Sequence, residues 1–394
     1  MKPTPFYPRT SELLESYDWG EWAGWLSANV YDLEHTHEYL AIRTSCGVFD
    51  TSPLFKYQIQ GPDALRLLNR VVTQDVSRYR VGKSMYTPWC DDKGKIIDDG
   101  IVARIDENVF RLTAAEPTLF WLEDNALNLN VTVEDITEAF GILAIQGPCS
   151  LEVIGRLTQA DVTNLEYFSL MTIELAGLPI MLSRTGYTGD LGYELWIEPD
   201  HAVALWDALF EAGKEYRIRP FGDYALDIAR IEAGMLLGGV DFHSSKKVMY
   251  AHEKSTPLEL GLGWTVKLKK DYFVGQEALI EDAEQGLNWN TVGLEIDLGS
   301  LEAIYAQYDM PLYLPNRSWK EAVPVYSRGK QIGKATSGTW SPMLKKYIAI
   351  ARIKPQYASL GNQVEMETTV DAVRHNARAK VVKTPFYNPP RKTN

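Results

Sequence analysis

Ile59-Gln60-Gly61-Pro62-Asp63-Ala64-Leu65-Arg66-Leu67-Leu68-Asn69-Arg70-Val71 recurs as Ile145-Gln146-Gly147-Pro148-Cys149-Ser150-Leu151-Glu152-Val153-Ile154-Gly155-Arg156-Leu157. In each copy an alternating strand (Phe55, Tyr57, Ile59; Leu143, Ile145) runs into a Gly-Pro turn. A helix follows, with apolar residues three apart: Leu65, Leu68, Val71 in one copy and Leu151, Ile154, Leu157 in the other. A strand-turn-helix unit used twice predicts two related α+β portions, with repeats starting near 55 and 143, facing each other across a cleft.

Outward from the repeat, more strands are expected at 101–104 and 109–113 after the first copy, and at 172–175, 179–184 and 193–197 after the second. Helical spacing covers 202–214 and 223–235, the latter ending at Gly234. Beyond Gly275 the texture changes to a charged, Gly/Asn-rich connection and then short strand patterns at 292–296, 323–326, 347–353, 363–367 and 377–382. These predict a small β-barrel or sandwich. The expected organisation is an α+β region over 1–280, a β-barrel over 288–385 and a loosely ordered tail over 386–394.

Composition narrows the function. The 394 residues are 45% hydrophobic and 23% charged, so disorder is not the main description. Lys+Arg of 40 against Asp+Glu of 52 leaves a net charge of -12, which disfavours a phosphate backbone as partner. Cys46, Cys90 and Cys149 stand far apart, so neither a disulfide framework nor a zinc knuckle is expected. The N-terminus has no apolar signal run, and no stretch approaches the ~20 apolar residues of a membrane span. A cytoplasmic, reduced protein is the expectation.

Two stretches carry candidate chemistry. In Gly94-Lys95-Ile96-Ile97-Asp98-Asp99-Gly100 the two aspartates precede a strand, and successive side chains of a strand face opposite ways, so one of them must face inward. A buried carboxylate needs a partner or a task. In Thr185-Gly186-Tyr187-Thr188-Gly189-Asp190-Leu191-Gly192-Tyr193-Glu194 three glycines spaced by three form a tight loop that lets backbone approach a ligand. It matches neither dinucleotide nor P-loop fingerprints. His35 and His37 lack partners at ligand spacing, so no metal is expected. The tryptophans Trp19, Trp22 and Trp25 read as packing.

With those residues in place, the chain resembles the aminomethyltransferase family, the glycine cleavage T-protein and its tetrahydrofolate-dependent relatives. The resemblance runs through Ala41-Ile42-Arg43-Thr44, the Asp98-Asp99 segment, the Thr185 to Glu194 loop, Arg230-Ile231-Glu232-Ala233-Gly234-Met235, Gly275-Gln276-Glu277-Ala278-Leu279 and Thr336-Ser337-Gly338-Thr339-Trp340-Ser341-Pro342. It implies a cloverleaf of two folate-binding α+β portions and a C-terminal β-barrel around tetrahydrofolate. It also implies that Asp98 lies beside the reactive folate nitrogens, that Glu194 bonds the pterin, and that Tyr86, Tyr187 and Tyr193 fall in segments lining the pocket.

The departures from the T-protein pattern concern the donor end. The family's arginine is Leu226, its asparagine is Ala115, its His-Met is Pro53-Leu54, and its Leu-Tyr-Gly becomes Leu236-Leu237-Gly238-Gly239. These changes resemble the folate domains of sarcosine and dimethylglycine dehydrogenases and dimethylsulfoniopropionate demethylase. The expected activity is transfer of a methyl or aminomethyl carbon from a small methylated amine, betaine or sulfonium donor to N5 of tetrahydrofolate. A dehydrogenase or carrier protein is a candidate supplier of that carbon. A glycine cleavage T-protein proper and a non-catalytic folate-binding protein of the iron-sulfur-assembly type are the alternatives.

Overall fold

The computed structural model describes residues 1–394. Each repeat copy forms the predicted strand, turn and helix: Phe55–Gln60 with Ala64–Val71, and Gly141–Gln146 with Ser150–Gly155. The turn glycines are obligatory, because Gly61 and Gly147 have φ of 137° and 124° and a Cβ on either would lie 2.6 Å from a carbonyl oxygen, of Asn130 or Ser45.

The two copies head sheets of one topology. In the first, the strands Ser84–Cys90, Ile96–Asp106 and Val109–Ala114 form a meander whose last strand pairs with Phe55–Gln60. In the second, Leu170–Leu175, Leu178–Ser183 and Gly192–Ile197 do the same against Gly141–Gln146. One strand is exchanged: Gly47–Asp50, which precedes the first repeat, pairs antiparallel with Gly141–Gln146 and parallel with Arg219–Pro220 in the second sheet. The halves are thus related in shape but interleaved in sequence.

The C-terminal part is a closed six-stranded barrel of Asn290–Ile296, Val323–Ser327, Lys330–Ser341, Lys346–Ile353, Gln363–Val370 and Val373–Val382. Lys330–Ser341 went unforeseen because Thr336, Ser337, Thr339 and two glycines break any apolar alternation, although both of its faces are buried around that stretch. The helix Gln276–Gln285 runs into the stretch expected as connection, and a further helix, Leu298–Ala306, follows the first barrel strand.

The expectation of a loosely ordered tail over 386–394 is corrected. Tyr387 N–H donates to Glu232 O, Arg391 holds Asp190 at 2.6 and 2.9 Å, and Arg184 donates to Asn394 O at 2.6 Å. Two arginines, which sequence periodicity ignores, tie the segment to the second half.

The parts meet at a buried ionic junction. Arg43, on the helix Thr36–Thr44, donates through Nε to Glu232 at 2.8 Å and through Nη1 and Nη2 to the carbonyls of Thr188 and Ala229 at 2.9 and 3.0 Å. Asp190 stands 3.5 Å away. Glu232 also accepts from Tyr39 OH at 2.5 Å and from the hydroxyl of Ser341 in the barrel. A second cluster repeats the device: Arg230 bonds Asp241 at 2.5 Å, and Asp241 accepts from Thr336 and Ser337 of the barrel at 2.6 and 2.7 Å. Removing one member of a buried pair strands the other charge, so Arg43→Met is expected to cost about 3–5 kcal/mol in urea unfolding of the intact chain.

Candidate functional site

Strand register decides which side chains reach the space between the sheets. Pairing Tyr86 with Ile101 and Ala103 with Arg111 places Asp99, Ile101, Ala103, Tyr86 and Arg111 on one face of the first sheet. In the second sheet Ser183 pairs with Glu194, Glu194 with Ala144, and Ala144 with Phe49, so this row shares one face. The two faces meet. Ile101, Ala103, Arg111 and Thr113 of one sheet, with Met181, Ser183, Glu194 and Trp196 of the other, line a narrow cavity between the sheets.

Asp98 does not face this cavity. It is 1% exposed, pairs with Trp89, shares the inner face of its sheet with Val102, and accepts from Glu116 N–H at 3.0 Å. The carboxylate on the cavity side is Asp99, which accepts from Tyr86 OH at 2.5 Å. The bulge at Trp89/Cys90 shifts the pairing and so sets which aspartate faces which way, a feature that alternation alone does not reveal. Asp98, expected beside the folate nitrogens, thus points into the core of its own sheet, and Asp99 is the carboxylate on the cavity side.

Glu194 lies in the cavity wall. Its carboxylate is half-buried and receives one side-chain hydrogen bond, from Thr185 at 2.6 Å, leaving acceptor capacity toward the cavity. Burial with so few donors pushes its pKa above the ordinary carboxylate range. Tyr187 sits near Tyr86 and Asp99, its hydroxyl bonded to Leu236 O. Tyr193 is a correction: it pairs with Ile145 on the opposite face and is 1% exposed in the core of the second half. The loop between Thr185 and Glu194 is held by Gln146, the glutamine of the repeat. Gln146 accepts from Thr188 at 2.7 Å and fills the space over Gly186 and Gly192, where a Cβ would lie 2.2 and 2.3 Å from its amide.

Sequence reasoning missed two residues. Trp264 stacks on Tyr86 with ring centroids 5.9 Å apart while 58% exposed, forming an aromatic lip beside Asp99. It lies in an irregular segment that no periodicity marks. Arg111 is the polar member of Val109-Phe110-Arg111-Leu112, and its place in an alternating strand was the available signal.

Electrostatically the Asp98–Asp99 pair is unusual. Burial pushes Asp99 up to about 6 even though the Tyr86 hydroxyl favours its charged form, and burial beside Asp99 raises Asp98 further. A flat ligand with a donor edge fits these groups: an open carboxylate at Glu194, aromatic faces at Tyr86, Trp264 and Trp196, and a second carboxylate at Asp99.

Comparison with known proteins gives that arrangement its family. A profile described as the GCVT N-terminal domain matches residues 15–270, and one described as the glycine cleavage T-protein C-terminal barrel domain matches 312–388. The aminomethyltransferase of Halothermothrix orenii is 34% identical over 391 residues, spanning 98% of this chain and 100% of that protein. That of Thermotoga neapolitana is 34% identical over 391 residues, with 98% of each chain covered. The crystal structure of glycine cleavage system aminomethyltransferase T from Bartonella henselae superposes with a TM-score of 0.82 at 24% identity over 98% of both chains, a likeness of fold. The chain belongs to the glycine cleavage T-protein (aminomethyltransferase) family. It is, with that family, a tetrahydrofolate-dependent transferase.

Because the folded-state pKa of Asp99 lies above its ordinary value, the native state holds a proton that the unfolded chain releases between about pH 4 and 6. Asp99 therefore contributes stability below about pH 4 that fades as the pH rises through about 6. Urea midpoints across that window should fall more steeply in the wild type than in Asp99→Asn, and equal slopes would contradict the assignment.

Proposed function

We propose that the chain moves a one-carbon unit, methyl or aminomethyl, from a small methylated amine, betaine or sulfonium donor to N5 of tetrahydrofolate. The observation that carries the residue assignment is the cavity between the sheets, with Glu194 in its wall and Asp99 on the same side of the first sheet as that wall. Glu194 accepts from the amino and ring N–H edge of the pterin and fixes its orientation. Tyr86 and Trp264 bury an aromatic face. Tetrahydrofolate supplies the nucleophilic nitrogen. Asp99, held by Tyr86, is anionic above about pH 6 and stabilises positive charge developing beside it.

The donor class is supported by the charges around Tyr187. Asp99, Asp227 and Asp241 all act on its hydroxyl; Arg230 is bonded to Asp241 at 2.5 Å and to Asp227 at 3.3 Å, and Lys320 pairs with Asp227 at 2.5 Å, which leaves Asp99 as the carboxylate without a cation. Leu226 stands where T-proteins carry arginine and packs against the apolar cluster that includes Phe49 and Phe221. An acidic surrounding without that arginine favours a cationic donor over an anionic one. A second reading, an aminomethyl group delivered by a carrier protein as in glycine cleavage, is favoured by the names of the relatives.

Asp99→Asn is expected to lower turnover about 10²-fold or more with folate affinity unchanged within a few-fold, whereas Asp98→Asn should act mainly on stability. Glu194→Ala should abolish detectable pterin binding in calorimetry; an unaltered dissociation constant would remove the orienting role. Incubating tetrahydrofolate with methylated amines, betaines and sulfonium compounds, and resolving methyl- from methylene-tetrahydrofolate by mass spectrometry, identifies the donor. Product formed only with an aminomethylated carrier would establish the second reading.

A further inference from the structure

Arg111 is a half-buried cation without an anion. Its guanidinium carbon lies 4.4 Å from the ring centroid of Phe140 and 5.7 Å from that of Trp196, and its one polar contact is Nη1 to Met181 Sδ at 3.6 Å. Its Nε is buried with no partner. The fully buried arginines, although Arg184, Arg230 and Arg352 each keep one unpartnered nitrogen, are all engaged by oxygen: Arg43 by Glu232, Arg230 by Asp241, Arg184 by backbone carbonyls and Arg352 by Ser255. Burial pulls the Arg111 pKa down with no neighbouring carboxylate to offset it. Arg111 and Glu194 line one cavity yet form no ion pair, so the cavity presents a cation and a carboxylate separately. Leaving charged donors unsatisfied is costly, and a ligand that supplies an acceptor relieves that cost.

Resting on the folate reading above, we propose that Arg111 is the group that reads the pterin 4-oxo oxygen. With Glu194 on the amino and N3–H edge, the next substituent around the ring is that oxygen, an acceptor that suits a guanidinium. Phe140 and Trp196 hold the guanidinium plane by cation–π contact and keep it from folding away. A 4-amino group in place of the oxo presents a donor to a donor, so Arg111 makes the site selective for oxo-folates over 2,4-diamino analogues. Arg111 is here a specificity residue and takes no part in carbon transfer.

Calorimetric titration of the full chain with tetrahydrofolate and with its 4-amino-4-deoxy analogue tests this. The wild type should prefer the 4-oxo compound by about 10²-fold. Arg111→Met keeps the volume and removes the charge. It should weaken tetrahydrofolate binding about 10- to 100-fold, bring the preference ratio close to one, and leave the thermal midpoint of the free protein equal or higher, as expected when an unpaired buried charge is removed. Arg111→Lys should retain part of the preference. If Arg111→Met is folded and keeps the wild-type ratio, the inference is overturned while the folate reading stands. If the wild type binds neither compound, the folate reading falls and takes the inference with it.

Discussion

The Arg43 guanidinium is the constraint on which the rest of the molecule depends. It belongs to a helix near the N-terminus, yet it binds the glycine loop through Thr188 O and Asp190 and the helix Asp223–Glu232 through Glu232 and Ala229 O. Glu232 passes the linkage to Ser341 of the barrel. A charge this deeply buried is tolerated because nearly all its donor directions meet oxygen. Three structural parts are thereby fixed around one point. The same contacts set the position of the loop from which Thr185 reaches Glu194, so packing at the junction and chemistry in the cavity cannot vary independently.

Two sheets of like topology set face to face give the cavity its division of labour. Each contributes one charged group to the cavity wall, Arg111 beside Ala103 and Glu194 beside Ala144. Small neighbours leave room around these groups.

Much of this was legible before any coordinates. The Gly61-Pro62 and Gly147-Pro148 recurrence foretold paired α+β halves, because a positive-φ glycine in a tight turn leaves a local mark. Glu194 and Tyr86 were singled out by resemblance to a family. What stayed hidden depends on non-local geometry. Whether Asp98 or Asp99 faces the cavity hangs on a bulge at Ile97 in their own strand. Tyr193 was misplaced because a glycine loop gives no parity for the strand that follows. Trp264 is brought to Tyr86 from a segment without periodic pattern. The ordering of the 386–394 segment rests on Arg184 and Arg391, whose partners lie about 200 residues away in sequence.

The exchanged strand Gly47–Asp50 bears on how the chain is made. The first sheet draws all its strands from residues 55–135 and can close as soon as that stretch has emerged. Gly47–Asp50 must wait for Gly141–Gln146 on one side and for Arg219–Pro220 on the other. During vectorial synthesis it is therefore an apolar ribbon with both edges open, the species most exposed to misassociation before its partners arrive.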